Sequence, residues 1–393
     1  MSTTIAAAAA TPYPTVGGNK AELLVEYGEW IPALYKDLST QRQVINIRQY
    51  NWEPTGPGNV VADLLIKQAK GGAEVNVITD KHGSFGTDSQ TWRADKNAVN
   101  AMFDRMRAAG ITITVNDPKA GQHWWNHPLK QHLEHDKVIE IDHSIVHVGG
   151  MGWAQSDTGT KKYAGWHDFY ARIEGPAAAQ FGAEHIATAR RLGQPVSARN
   201  VALLHAAVDH PAVHGAALVR ALPNVPGGAT DATADLFTGI ANARHRFWLT
   251  TPYIGDRKLV WALQDAKARG VDVRVLVPGD GVKQNPLFGK ISRSFYEDLV
   301  DAGIPVHGYE RMMHGKLWLA DDVVTVGSTN ASRGSLEFYG EMSASIEDAA
   351  VAAKTVSMLE HDWQIAPAYT EASLHNTATR VLRVARQALG LWF

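Results

Sequence analysis

Two stretches of this chain carry the same reactive residue types in the same order. Residues 135–152 read HDKVIEIDHSIVHVGGMG and residues 314–330 read HGKLWLADDVVTVGSTN. In each, a lysine follows a histidine by two positions, an aspartate follows the lysine by five, and a glycine-containing turn closes the stretch. The residues are His135, Lys137, Asp142, Gly149 and Gly150, then His314, Lys316, Asp321, Gly327, Ser328 and Asn330. This combination suits phosphate chemistry. A neutral imidazole can attack phosphorus or, once protonated, donate to a leaving oxygen, and an ammonium beside it neutralises the equatorial oxygens. No metal or cofactor is expected. One pair is half of such a machine, so the duplication implies two half-sites.

The elements that must position these residues follow from periodicity. Val138, Ile139 and Ile141 after the first lysine, and Leu317, Trp318 and Leu319 after the second, read as strands leading into polar turns. Along a strand, side chains two apart share a face, so each histidine lies beside its lysine. From residue 20, helices and strands alternate: 21–39 as a helix broken near Pro32, QVINIRQYNW as a strand, VVADLLIKQAKGG as a helix with a glycine stop, then AEVNVITD as a strand. KNAVNAMFDRMRAAG and ITITVND add a helix and a strand before the first motif. The second half replays this order, with QAKGGAEVNVI matching DAKARGVDVRVL and MRAAGITITV matching LVDAGIPVHG. Such alternation predicts an α/β fold, and the repeat predicts two similar domains. The Ala-, Pro- and Gly-rich stretch at 195–225 marks their boundary. The expected division is a flexible leader at 1–19, a first domain at 20–205 with the first motif, and a second at 206–393 with the second motif and an amphipathic C-terminal helix.

The doubled motif, together with LTTPYI, ARGVDVRVLVP, DAGIPVHGYE and a W-x-D followed by RIEGPAA, resembles the phospholipase D superfamily, and within it the cardiolipin synthase-like branch. The resemblance covers roughly residues 20–390. It implies two phospholipase D-like α/β domains related by a pseudo-twofold axis, with the active site at their interface. It implies phosphodiester hydrolysis or phosphatidyl transfer on a phospholipid substrate, with water or an alcohol as acceptor, through a covalent phosphohistidine and a second histidine as general acid/base. By position His135 is the expected nucleophile and His314 the acid/base, and pseudosymmetry leaves the reverse order open. Lys137, Lys316, Ser328 and Asn330 are expected to hold the phosphate, and Asp168 and Glu341 to orient the histidines. Asp142, Asp321, Gly149, Gly150, Gly327 and Ser335 are expected to shape the motif loops. Two departures stand out. Gly152 occupies the place of the family's first asparagine, and the second motif is one residue shorter between Asp321 and Gly327, either through a tighter turn or because Asp322 replaces Asp321.

Composition bounds the remaining readings. A chain of 393 residues, 45% hydrophobic and 20% charged, is ordinary globular material with ample core. A net charge of -2 makes nucleic acid an unexpected partner, and the lack of cysteine excludes disulfides, cysteine nucleophiles and zinc–thiolate sites. The first residues lack the basic and apolar regions of a signal peptide, and no run of 18 apolar residues occurs, so the expectation is a cytoplasmic protein, soluble or peripheral at the membrane. Peripheral contact has a candidate at the C-terminus. There Val381, Leu382, Ala385, Leu389 and Trp392 share one helical face and Arg380, Arg383 and Arg386 another, a pattern suited to an anionic lipid surface. His123 and His127 stand four apart near His132 and His135, but Pro128 breaks the face and no metal site is expected. Trp124, Trp125, Trp153 and Trp166 flank the first motif, to line an acyl-chain entrance or to pack the domain interface. A nuclease or small-molecule phosphodiesterase on the same fold, and a non-catalytic lipid-binding relative, remain as alternatives.

Overall fold

The computed structural model describes residues 12–85, 95–118, 132–154, 165–280, 282, 286–374 and 383. The first half contributes strands β1 (Val16–Val25), β2 (Val44–Gln49), β3 (Glu74–Asp80), β4 (Thr112–Asn116), β5 (Lys137–Ile141), β6 (Ile145–Gly149) and β7 (Phe169–Glu174). The second contributes β8 (Ala217–Asn224), β9 (Arg246–Thr250), β10 (Ile254–Gly255), β11 (Asp272–Pro278), β12 (Val306–Tyr309), β13 (Lys316–Ala320), β14 (Val323–Gly327), β15 (Ala331–Ser332) and β16 (Glu341–Glu347). Fourteen of these form one sheet in the order β12-β11-β9-β13-β14-β16-β8-β1-β7-β6-β5-β2-β3-β4. Read outward from the β1–β8 seam, the two sides carry matching strands, which is the pseudo-twofold relation of two phospholipase D-like α/β halves.

Local chemistry explains the elements. The parallel strands β2 and β3 are almost wholly buried, with Ile45, Ile47, Val75 and Val77 in an apolar core and Asn46, Arg48 and Asn76 alternating with them, bonded to Glu140, Asp136 and Asn46 respectively. Asp95 caps the helix Lys96–Ala108 by accepting from the amides of Asn97 and Ala98, and Asp348 caps Ala349–Ile365 in the same way from Ala350 and Val351. The sheet folds back on itself at the seam, so that β14 lies against β6 and β7 while β16 lies against β5 and β6. A single apolar core fills that contact, with Val148, Phe169, Ala171 and Ile173 from the first half and Leu317, Val326, Met342 and Ala344 from the second.

Three expected boundaries move. Residues 16–19 belong to β1 and not to a leader: Asn19 is fully buried, its amide donating to the carbonyls of Val16 (2.8 Å) and Ala217 (3.2 Å) while its Oδ1 accepts from the amide of Ala177 at 2.8 Å. The expected helix over 21–39 is the end of β1 followed by a helix at Glu26–Asp37. Pro32 lies inside that helix without breaking it, because burial of Trp30 and Leu34 outweighs the hydrogen bond that proline cannot donate. The expected division at 205/206 falls within the helix Ala198–Asp209, whose Asn200 bonds Asn46 (2.9 Å) and His143 (2.9 Å) of the first half. Residues 210–216 join that helix to β8.

Among the described residues no helix is long and apolar enough to cross a membrane. His123, His127, Trp124 and Trp125 lie outside the described residues, as does the C-terminal face apart from Arg383. The Arg383 guanidinium is engaged within the protein, 2.8 Å from Asp298 and 2.7 Å from Asp301 of the helix Pro286–Asp301.

Candidate active site

Each motif histidine stands two residues ahead of a strand, His135 before β5 and His314 before β13, and each lysine opens that strand. The two halves then exchange support. The backbone amide of His135 donates to the carbonyl of Gly340 (2.7 Å), in the other half, and its ring Nδ1 lies 2.9 Å from both carboxylate oxygens of Glu341. Reciprocally, the amide of His314 donates to the carbonyl of His167 (2.8 Å) and its Nδ1 lies 2.5 Å from Oδ2 of Asp168. Short parallel bridges, Glu134 to Gly340 and His167 to Met313, fix both crossings. The motif of one half is thus completed by the carboxylate of the other.

Such pairing can set the tautomer. An Nδ1 facing an ionised carboxylate is the donor, as at His314 beside Asp168, which leaves Nε2 of that ring with its lone pair. Lys137 Nζ lies 3.2 Å from Nε2 of His135 and donates to the carbonyl of His135 at 2.8 Å. Lys316 Nζ lies 2.9 Å from both ring nitrogens of His314. Aromatic rings wall each histidine, Tyr50 at 4.6 Å from His135 and Trp166 at 4.6 Å from His314. Trp153, by contrast, is packing: it is fully buried against Trp30 and Trp52.

The two pairs are not electrostatically equivalent. Burial pushes the Glu341 carboxyl up to about 8, although Lys137, the hydroxyls of Ser328 and Ser335, and Lys316 all pull the other way. Asp168 is equally enclosed, and there His314 and Lys316 overcome the burial and hold the carboxyl below its ordinary value. Burial, then Lys316, drives His314 down to about 3 against the opposing pull of Asp168, and Lys137 of the other motif adds to the effect. His314 is therefore a neutral imidazole backed by a carboxylate. The two half-sites feel each other's lysines.

The remaining motif residues fall into place around these pairs. Ser328 was expected on the phosphate, but its Oγ donates to Glu341 at 2.5 Å and accepts the amide of Met342 at 3.0 Å, so it is turned away into the wall of the site. Ser335 donates to the other Glu341 oxygen at 2.5 Å. Asp142 accepts the amides of Gln43 and Val44, and Asp321 those of Arg244, His245 and Arg246, each tying a motif hairpin to the start of a neighbouring strand. Asp321, not Asp322, matches Asp142, and both have a φ of 52°. The missing residue is a shorter turn. Gly149 and Gly327 close β6 and β14, and a Cβ on Gly150 would collide with the Asp168 carboxylate. Asn330 precedes β15, and its Oδ1 is buried without a partner among the described residues. Gly152 takes the same place in the first half: Trp153 bridges Trp52 as Ala331 bridges Ile254. Among the described residues no three His, Asp or Glu side chains are grouped to hold a metal.

Sequence reasoning missed Tyr50, the serines' hold on Glu341 and the crossed sense of the pairing. The repeat carried a signal for the last, since a twofold relation makes any exchange reciprocal.

Comparison with known proteins places this geometry. A family model described as cardiolipin synthase, PLD-like domain, matches residues 35–180 and 236–363. Cardiolipin synthase A of Klebsiella pneumoniae subsp. pneumoniae is 28% identical over 352 residues, covering 85% of this chain and 67% of that protein. Cardiolipin synthase A of Cronobacter sakazakii is 29% identical over the same shares. The crystal structure of phosphatidylserine synthase from Haemophilus influenzae Rd KW20 superposes with a TM-score of 0.71 at 12% identity, covering 96% of this chain and 95% of that one, a likeness of fold. Polyphosphate kinase from Porphyromonas gingivalis has a TM-score of 0.57 at 15% identity over 94% of this chain and 53% of its own.

Proposed function

The chain belongs to the family of cardiolipin synthase, PLD-like domains, and from that premise we propose that it is a phospholipase D-type enzyme that cleaves the phosphodiester of a phospholipid and passes the phosphatidyl group to an alcohol or to water. The observation that carries this reading is the pair of crossed histidine–carboxylate contacts, each with a lysine alongside.

In the proposed reaction Nε2 of one histidine attacks phosphorus, and the bond from phosphorus to the headgroup oxygen breaks as the second histidine gives that oxygen a proton. The second ring then takes the proton of the incoming hydroxyl, whose oxygen displaces the first ring. Lys137, Lys316 and Asn330 hold the phosphate oxygens as charge builds, and donors so placed act mainly on the transition state. General acid–base catalysis by the second ring contributes about 10²–10⁴-fold.

The surroundings favour His314 as nucleophile, the reverse of the order expected by position. His314 is held neutral with an ionised Asp168 behind it, whereas the raised Glu341 supplies the His135 pair with a proton to give. Ser328 and Ser335 serve the reaction by fixing Glu341.

The test is product mass spectrometry on mixed phosphatidylglycerol, phosphatidylethanolamine and phosphatidylcholine vesicles with glycerol present. Phosphatidic acid, cardiolipin or an exchanged headgroup is expected with the wild type and not with His314→Ala. No lipid product from folded protein would move the substrate to an oligonucleotide or a small phosphodiester. The order of the rings is read with a p-nitrophenyl phosphodiester substrate, whose leaving group needs no proton. His135→Ala should then accumulate a phosphohistidine that His314→Ala does not form.

A further inference from the structure

His167 stands next to Asp168, buried at the junction of the halves, and the reaction as described does not use its side chain. Both of its ring nitrogens face carboxylates. Nδ1 lies 2.6 Å from Glu26, which opens the helix Glu26–Asp37 of the first half, and Nε2 lies 2.9 Å from Asp362, on the helix Ala349–Ile365 of the second. A neutral imidazole has one N–H and can satisfy one of these contacts, whereas the imidazolium satisfies both.

The other groups against the ring fit a cation. Tyr309 of β12 stacks on it at 4.7 Å, Phe169 stands at right angles to it at 5.0 Å, and Asp168 is its neighbour in sequence. Among the described residues Arg311 is the cation that competes, reaching Glu26 at 2.6 Å and so sharing that carboxylate. Glu26 holds its position with a φ of 57°, a left-handed conformation that an ordinary residue adopts only when its surroundings impose it.

The carbonyl of His167 is the acceptor for the amides of both His314 (2.8 Å) and Gly315 (3.0 Å). At the matching place beside the first half-site stands Gly340 of the second half, whose carbonyl accepts the amide of His135 and which has no side chain to anchor. The two half-sites are therefore held differently. We propose that His167 is an imidazolium that ties the two halves together at the second half-site, and that it acts as a positioning residue for His314 through its own backbone carbonyl. The inference rests on His314 being catalytic.

The clamp has a defined sign with pH. A histidine that gains carboxylate partners contributes its full stabilisation while protonated and loses it as the pH rises through its value in the folded protein, which here is raised by Asp362 and Glu26 against the effect of burial. Second-half-site order therefore weakens on the alkaline side.

Three measurements on the full chain test this. In 15N-histidine-labelled wild type at pH 7, both ring nitrogens of His167 are expected at protonated chemical shifts; a neutral ring would overturn the proposal without any variant being made. In His167→Gln, the amides of His314 and Gly315 should exchange about tenfold faster or more, with the amide of His135 unchanged. Equal acceleration of all three would mean general loosening and would overturn it, as would no change. On phosphatidylglycerol vesicles, His167→Gln should lower kcat about tenfold or more with KM within about twofold. Asp362→Asn should move the alkaline limb of kcat to lower pH, and a limb that stays in place counts against the clamp. His314→Ala is the control for the catalytic reading. Full turnover there removes the positioning role, whatever the ring and amide data show.

Discussion

At the scale of single residues, the proposed chemistry depends on two carboxylates kept out of water, each beside one histidine ring. Asp168→Asn should preserve the packing while allowing His314 the wrong tautomer, with Nε2 carrying the proton. The expected result is a loss in kcat of about 10³–10⁴-fold at nearly constant KM, read from initial rates on vesicles. Glu341 makes a different prediction. Its carboxyl rises from an ordinary 4.5 to about 8 on folding, so the folded chain binds the proton more tightly than the unfolded one. Stability from this group is full below about pH 4.5 and is lost as the pH rises toward 8, at a slope of up to about 1.4 kcal/mol per pH unit. Glu341→Gln should flatten that slope in urea titrations between pH 5 and 9 while abolishing turnover. A variant as pH-sensitive as the wild type would show that the burial of Glu341 is relieved in solution.

At the scale of elements, strands and turns deliver these residues and a few backbone contacts set their angle. The Asp321 carboxylate collects three amides at the start of β9, from Arg244 (3.1 Å), His245 (2.8 Å) and Arg246 (3.0 Å). Asp321→Ala should therefore cost about 1–2 kcal/mol of stability, measured by urea denaturation, with turnover per folded molecule little changed. Much of this level was legible in the sequence. The apolar runs after Lys137 and Lys316 gave β5 and β13, and the aligned QAKGGAEVNVI and DAKARGVDVRVL segments gave the matching helix–strand units around β3 and β11. What periodicity could not give was β1, whose Gly17, Gly18 and Asn19 look like a linker and become a strand through partners almost 200 positions away. The bond of Ser328 to Glu341 was hidden for a similar reason: its motif position says where its backbone lies, while the direction of its hydroxyl is decided by Glu341 across the β14–β16 pairing.

At the scale of the molecule, the two halves share one sheet and, beside a core within each, a common core at the seam, so they should not come apart in stages. A chain of this size commonly unfolds domain by domain. Here the core between β6, β7, β14 and β16 belongs to both halves, and denaturation should be a single transition in which tryptophan fluorescence and far-UV circular dichroism coincide. Two separated transitions would show that each half stands alone. The crossed carboxylates also bear on descent. One half by itself has an unsupported ring and an unpaired carboxylate, whereas two like halves complete each other, so each copy of the motif depends on the presence of the other. Once both copies lie in one chain they are free to diverge only where they no longer substitute for each other. Gly152 opposite Asn330 and Gly340 opposite His167 record that divergence, while Asp168 and Glu341 remain bound to each other's fate, each inherited for the sake of a histidine it does not neighbour in sequence.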